Sequence, residues 1–122
     1  MENFKNDLIE RTHDYALDII IFFDRLKKDD YSVQVIVKQL LRSATSIGAN
    51  IIEAQAASSR RDFINFLNHS LKSANESKFW LSLLKDSNKA PVDDCNKLLD
   101  ETIQLANILA SSILTLKGKR KL

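Results

Sequence analysis

The sequence predicts an all-α protein, an up-down-up-down four-helix bundle, and three observations carry that prediction. The 122 residues hold only two glycines and one proline, too few for a β-sandwich or barrel, which turns every 8–12 residues or so. Hydrophobic residues make up 44% of the chain, enough for one core. One domain fits this length and two would be cramped. Apolar residues recur at intervals of three and four through four long stretches, the spacing of one helix face.

The first helix is predicted over about residues 3–28, with Leu8, Thr12, Tyr15, Ile19, Phe22 and Leu26 on one face. Asp29-Asp30-Tyr31 breaks that pattern, and Ser32 offers an N-cap for the second helix. The second is predicted over residues 33–56, with Ile36, Leu40, Ala44, Ile47, Ile51 and Ala54 sharing a face. Gly48 in its interior costs about 1 kcal/mol relative to alanine, so a close approach of another helix is expected there. Ser59 followed by Asp62 resembles a capping box. It opens a third helix over residues 60–86, with Phe63, Leu67, Ser70, Ala74, Ser77, Leu81 and Leu84 in phase. Ser87-Asn-Lys-Ala-Pro91 is the one clear loop, and Pro91 suits the first turn of a helix. The fourth helix is predicted over residues 91–117, with Cys95, Leu98, Thr102, Leu105, Leu109, Ile113 and Leu116 as its stripe and Gly118 as its stop. Residues 1–117 thus form the bundle, and residues 118–122 a short basic tail.

Two helices carry more apolar surface than one core can use. Leu17, Ile20 and Ile21 point away from the core face of the first helix. Phe79, Trp80 and Leu83 do the same on the third, among Lys72, Glu76 and Asp86. Exposed apolar patches of this kind mark interfaces, so these six residues are the candidate oligomer interface of a protein whose first partner is itself. The second helix instead shows a polar strip of Lys38, Arg42, Ser46, Asn50 and Glu53. In an antiparallel hairpin turning near Ala57-Ser58, Arg42 falls level with Glu76, and Ser46 with Ser73. Such a strip is either a structural hydrogen-bond network with one salt bridge or a binding surface.

The same two helices carry a family resemblance. Arg42-Ser-Ala-Thr-Ser-Ile-Gly-Ala-Asn-Ile-Ile-Glu53 resembles the signature of a bacterial four-helix family, the 23S rRNA-intervening sequence proteins. In that family an Arg precedes Ser-Ile, then Asn-Ile-Ala-Glu-Gly, an Arg-rich turn, and Glu-Phe with Phe-Leu. Ser58-Ser-Arg-Arg-Asp-Phe-Ile-Asn-Phe-Leu67 resembles the turn and helix start, and Ser73-Ala-Asn-Glu76 the later Ser-x-x-Glu. The sequence departs from the pattern at Gly48 (often Pro), Ala54 (usually Gly) and Asp62 (Glu). The resemblance implies a bacterial source and a left-handed bundle assembled as a homopentamer around a central channel. It makes Arg42, Ser46, Asn50, Glu53, Ser73 and Glu76 a family-motif polar network. A related branch, the accessory protein of diversity-generating retroelements, partners a reverse transcriptase and binds nucleic acid through a basic surface. The activity of most members is not established.

The residues offer no catalytic constellation. The two glycines are too far apart for a phosphate loop. His13 and His69 each stand alone, so no metal site is expected. Cys95 is the single cysteine, which precludes an internal disulfide, and its apolar position beside Asp94 predicts a buried, inert thiol. Asp29-Asp30 and Asp93-Asp94 are sequence neighbours and splay apart on a helix. No cofactor and no enzymatic activity are expected. The longest apolar run, Ile19 to Phe23, is far short of the roughly 20 residues of a membrane span. With an acidic N-terminal stretch in place of a basic leader, a cytoplasmic protein without membrane contact is expected.

Charge is unevenly spread. Residues 1–30 carry 8 acids and 5 bases, residues 31–90 carry 4 acids and 8 bases, and the whole chain is +2. Lys38, Arg42, Arg60, Arg61, Lys72, Lys117, Lys119, Arg120 and Lys121 are the candidate phosphate contacts of an oligomeric adaptor for RNA or DNA. The alternative is a protein-interaction scaffold with no affinity for nucleic acid, for an unidentified protein partner. Convergence of Arg60, Arg61 and the tail on one rim would favour the first.

Overall fold

The computed structural model describes the backbone of residues 2–118 and the side chains from residue 7 onward. It contains four helices and, among the described residues, no strand: α1 (Glu2–Arg25), α2 (Tyr31–Gln55), α3 (Arg60–Asp86) and α4 (Val92–Leu116). Contacts join α1 to α2, α2 to α3, α3 to α4 and α4 back to α1, and none join the diagonals. The helices therefore form two layers, α1 with α4 and α2 with α3. The α2–α3 pair packs most extensively and α1–α4 least. No helix among the described residues is long and apolar enough to cross a membrane.

Several ends differ from the sequence expectation. Helix α1 stops at Arg25, three residues before Lys28. Its last turn tightens, with the Leu26 N–H bonded to the Phe23 carbonyl at 3.3 Å. Lys28 donates to the Leu26 carbonyl at 3.1 Å, and the Gln34 amide donates to the carbonyl of Lys28. These bonds satisfy carbonyls that a longer helix would have used. Helix α2 starts at Tyr31, and its cap is Asp30, not Ser32. The Asp30 carboxylate accepts from the Ser32 N–H at 2.9 Å and the Ser32 hydroxyl at 2.6 Å. Pro91 is the N-cap of α4 and lies outside the helix. Ser59 caps α3 as expected, accepting from the Asp62 N–H at 3.0 Å, but Asp62 returns its bond to Ser58. Gly118 follows α4 at φ 71°, the left-handed conformation that ends helices.

Asp30 also receives the Lys89 ammonium from the loop between α3 and α4. The hydrogen bond from Lys89, then that from Ser32, holds the Asp30 carboxyl well below the usual carboxylate range. A depressed folded-state value stabilises the fold above the unfolded carboxylate pKa, and the contribution fades as pH falls below it. The Tm advantage of the wild type over Asp30→Asn is therefore expected to be full at neutral pH and to shrink below about pH 4. Thermal melts of both proteins across that range check this.

The stripes read from the sequence form most of the core: Leu8, Tyr15, Ile19 and Phe22 of α1 and Leu26 just beyond it are buried in one cluster with Leu40, Ile47 and Ile51, Leu81 and Leu84, Leu105 and Leu109, while Ile36, Phe63 and Leu116 are only partly buried against it. Helices α1 and α2 approach closely at Gly48: a Cβ built there would lie 3.0 Å from Thr12 Oγ1 and 3.2 Å from Thr12 Cβ.

Hydroxyls cross-link the helices in pairs, α1 with α4 and α2 with α3, inside this apolar core. Tyr15 and Thr102 hydroxyls are 2.6 Å apart, and those of Ser43 and Ser77 are 2.8 Å apart. Thr102 spends its proton on the Leu98 carbonyl at 2.6 Å, so Tyr15 is the donor of their bond. Ser70 adds a bond to the Ile47 carbonyl at 2.7 Å. Among the described residues no buried side-chain polar atom lacks a partner, as the cost of an unpaired one requires.

Candidate nucleic-acid interface

The antiparallel register predicted for the second and third helices brings Arg42 onto Glu76. The guanidinium also donates to Gln39 Oε1, at 3.2 and 3.1 Å. Glu76 accepts a second bond from Trp80 Nε1 at 2.9 Å, and Trp80 meets Phe79 edge-on with centroids 5.0 Å apart. Arg42, Gln39, Glu76 and Trp80 are thus one polar link tying α2 to α3.

The remaining strip residues do not join it. Ser46 donates to the Arg42 carbonyl at 2.7 Å, and Asn50 to the Ser46 carbonyl at 2.8 Å, both within α2. Glu53 is exposed, and Ser73 only lends its carbonyl to Ser77. The serine pair that crosses between α2 and α3 is Ser43–Ser77 rather than Ser46–Ser73. Ser43 lies in phase with Leu40 and Ile47, and that phase was the available signal for it.

The bases fall into two groups. Lys38, Arg42 and Lys72 are exposed along the α2–α3 layer. Lys72 lies between the two cross-links Arg42–Glu76 and Ile47–Ser70, and Lys38 stands one turn from Arg42. At one end of the molecule the Arg60 guanidinium donates to the Leu116 carbonyl. This bond brings the start of α3 to the end of α4, so Arg60, Arg61 and Lys117 gather at one rim. It also fills an orphan carbonyl with a cation at the negative end of the helix dipole. Arg60 is therefore partly spent on structure, a role its sequence position does not advertise. Lys119, Arg120 and Lys121 lie outside the described residues.

The opposite layer is acidic. Helix α4 carries Asp93, Asp94, Asp100 and Glu101 against Lys97 alone, and residues 1–30 carry 8 acids against 5 bases. An open groove of about 460 Å³ lies between α1 and α4, and in its lining Asp14, Asp18, Asp94, Asp100 and Glu101 outnumber Arg11, Arg25 and Lys97. Arg11 bridges it with two 2.8 Å bonds to Glu101 and one of 2.7 Å to Gln104. The hydrogen bonds that Arg11 donates to the Glu101 carboxylate raise the Arg11 pKa against the opposing effect of burial. The excess of acids makes this groove a poorer place for phosphate than the α2–α3 layer.

The six candidate interface residues divide by exposure. Leu17, Ile20 and Ile21 are 46%, 41% and 48% exposed and Phe79 is 55% exposed. Trp80 and Leu83 are half-buried. His13 is exposed with Nδ1 3.9 Å from the Asp14 carboxylate, and His69 is exposed with its ring edge-on to Phe66. Cys95 is buried, and its thiol pKa is raised by burial and by Asp94.

The family model for the 23S rRNA-intervening sequence protein matches residues 5–111. Among solved structures, the chain is similar to a protein of unknown function from the S23 ribosomal protein family of Bacteroides thetaiotaomicron VPI-5482. The two are 36% identical over 87% of this chain and 97% of that one, with a TM-score of 0.80. No curated protein matches the chain.

Proposed function

Because the chain belongs to the 23S rRNA-intervening sequence protein family, we propose that it is a non-enzymatic, cytoplasmic adaptor that holds nucleic acid weakly. Each protomer is a left-handed up-down-up-down bundle, and five protomers associate. The observation that carries the reading is the segregation of charge: residues 31–90 hold 8 bases and 4 acids, while α1 and α4 carry the acids. A phosphate backbone would track Lys38, Arg42 and Lys72 and the rim of Arg60, Arg61 and Lys117. Five copies would multiply each weak contact. Such binding is mostly counter-ion release and carries little sequence preference.

Fluorescence anisotropy with labelled random-sequence RNA and DNA oligonucleotides tests this. Binding is expected at about 50 mM salt and should weaken at least roughly tenfold by about 150 mM. Lys38→Glu with Lys72→Glu should weaken it by a similar factor without changing the circular dichroism. No binding at low salt by the oligomeric protein would overturn the reading. The second reading, a protein-interaction scaffold, is favoured by one observation: Arg42 and Arg60 already serve Glu76 and the Leu116 carbonyl.

A further inference from the structure

The exposed side chains of α3 form a stripe of mixed chemistry. From Arg61 to Phe79 they are Arg61, Asn65, His69, Lys72, Asn75 and Phe79. Their spacing of three and four residues puts them on one side of the helix, over a length of about 27 Å. None is an acid. The acids nearby are either paired or at the ends of the stripe. Glu76 is held by Arg42 and Trp80, and Asp62 accepts from the Ser58 N–H. Asp86 is exposed two helical turns beyond Phe79, and exposed Glu53 of α2 stands level with Asn65 in the Arg42–Glu76 register. The segment from His69 to Phe79 therefore carries no unpaired acid of its own.

Two rings bracket that segment. Phe79 is 55% exposed, and Trp80, whose indole N–H is anchored on Glu76, packs against it at 65° with centroids 5.0 Å apart. His69 is exposed with its ring edge-on to Phe66. Each ring is braced by a neighbour while it stands in water, and the rise from one to the other is about 15 Å. Lys72 and Asn75 lie between them. We propose that this stripe is a site for single-stranded nucleic acid, with one unpaired base stacked on Phe79, another on His69, and the phosphate between them on Lys72. The inference rests on the nucleic-acid reading above and adds which part of the ligand is recognised. A row of cations tracks any phosphate backbone, whereas an exposed ring rewards a strand whose bases are free to splay out. Asn65 and Asn75 add amides that can donate to and accept from base edges. Every base has a face to stack, so the stripe tolerates any sequence. The assignment keeps Phe79 in solvent and takes it out of the candidate oligomer interface.

Fluorescence anisotropy at about 50 mM salt tests the site with three labelled probes of about 12 nucleotides. They are a mixed-sequence single strand, an abasic strand with the same phosphates, and the duplex. The wild type is expected to bind the single strand at least about fivefold more tightly than the abasic one. Phe79→Leu should lower the single-strand affinity by about fivefold or more and leave the abasic and duplex affinities unchanged. Lys72→Gln should weaken all three and flatten the salt dependence by about one phosphate contact. Both positions are exposed, so the fold should hold, and circular dichroism and light-scattering mass check it. The single strand is run as DNA and as RNA, and the form whose binding depends on Phe79 is the ligand. Equal affinities for the single and abasic strands would overturn the stacking site and leave the electrostatic reading standing. So would a Phe79→Leu protein that binds the single strand as the wild type does, or that weakens on all three probes alike. A lower oligomeric mass of Phe79→Leu would overturn it too, by giving the ring to the interface between copies. No binding of any probe would overturn both readings.

Discussion

Tyr15→Ala is expected to destabilise the protein by about 3–5 kcal/mol, the usual cost of removing a buried aromatic ring. Tyr15→Phe should cost only about 1 kcal/mol, the net worth of a buried hydrogen bond. Tyr15 is 1% exposed, belongs to the core cluster and bonds Thr102 of α4. Removing its hydroxyl leaves Thr102 without a donor, but Thr102 still spends its own proton on Leu98. That retained bond is why the phenylalanine variant stays mild. Urea denaturation of both variants gives the two values. Alkaline titration supplies a second readout. Burial outweighs the opposing effect of the neighbouring Thr102 and Ser77 hydroxyls and pushes the Tyr15 hydroxyl up to about 12. A value raised on folding stabilises the protein below the unfolded tyrosine pKa and is lost as pH climbs through the folded one. Wild-type stability should therefore decline between about pH 10 and pH 12, and Tyr15→Phe should lack that share of the decline.

Gly48→Leu is expected to cost about 2–3 kcal/mol, and Gly48→Ala close to nothing. Alanine recovers about 1 kcal/mol of helix propensity. That gain offsets the push of a Cβ against Thr12 Oγ1 at 3.0 Å and Thr12 Cβ at 3.2 Å. Leucine brings the same Cβ and three further carbons into a space that α1 already fills, and overpacking of this kind commonly costs about 1–3 kcal/mol. Both variants should keep their helical circular dichroism and differ in urea midpoint. A leucine variant as stable as the wild type would show that α1 can retreat from α2 freely.

The sequence carried the helices well because each one has to bury a single stripe, and period alone reveals that stripe. Tyr15, Ala44, Ala74 and Leu105 were in phase and all are buried. Helix ends were harder. Asp30 and Ser32 are both sound caps, and the choice between them is made by Lys89, which arrives from a distant loop. Arg42 opposite Glu76 was legible because a hairpin register fixes it. Ser43 opposite Ser77 was not, because a small hydroxyl in a core phase reads as filler until its partner is in place. Arg60 was read as a free cation for phosphate, and its bond to the last turn of α4 depends on where two chain-distant elements end.

The two hydroxyl links differ in how far along the chain they reach. Ser43 and Ser77 are 34 positions apart, and Tyr15 and Thr102 are 87 apart. Loop closure grows slowly dearer with length, here by about 1 kcal/mol, and α1 also has the thinner packing. The α2–α3 pair can therefore assemble early from local contacts, while α1 docks late. During synthesis this order has a further effect. Helix α1 is made before Glu101 and Thr102, which fasten it. The nascent chain must hold Leu17, Ile20 and Ile21 in water, together with the α1 core stripe, until α4 has emerged. Any factor that guards the emerging polypeptide meets α1 before its α4 partner exists.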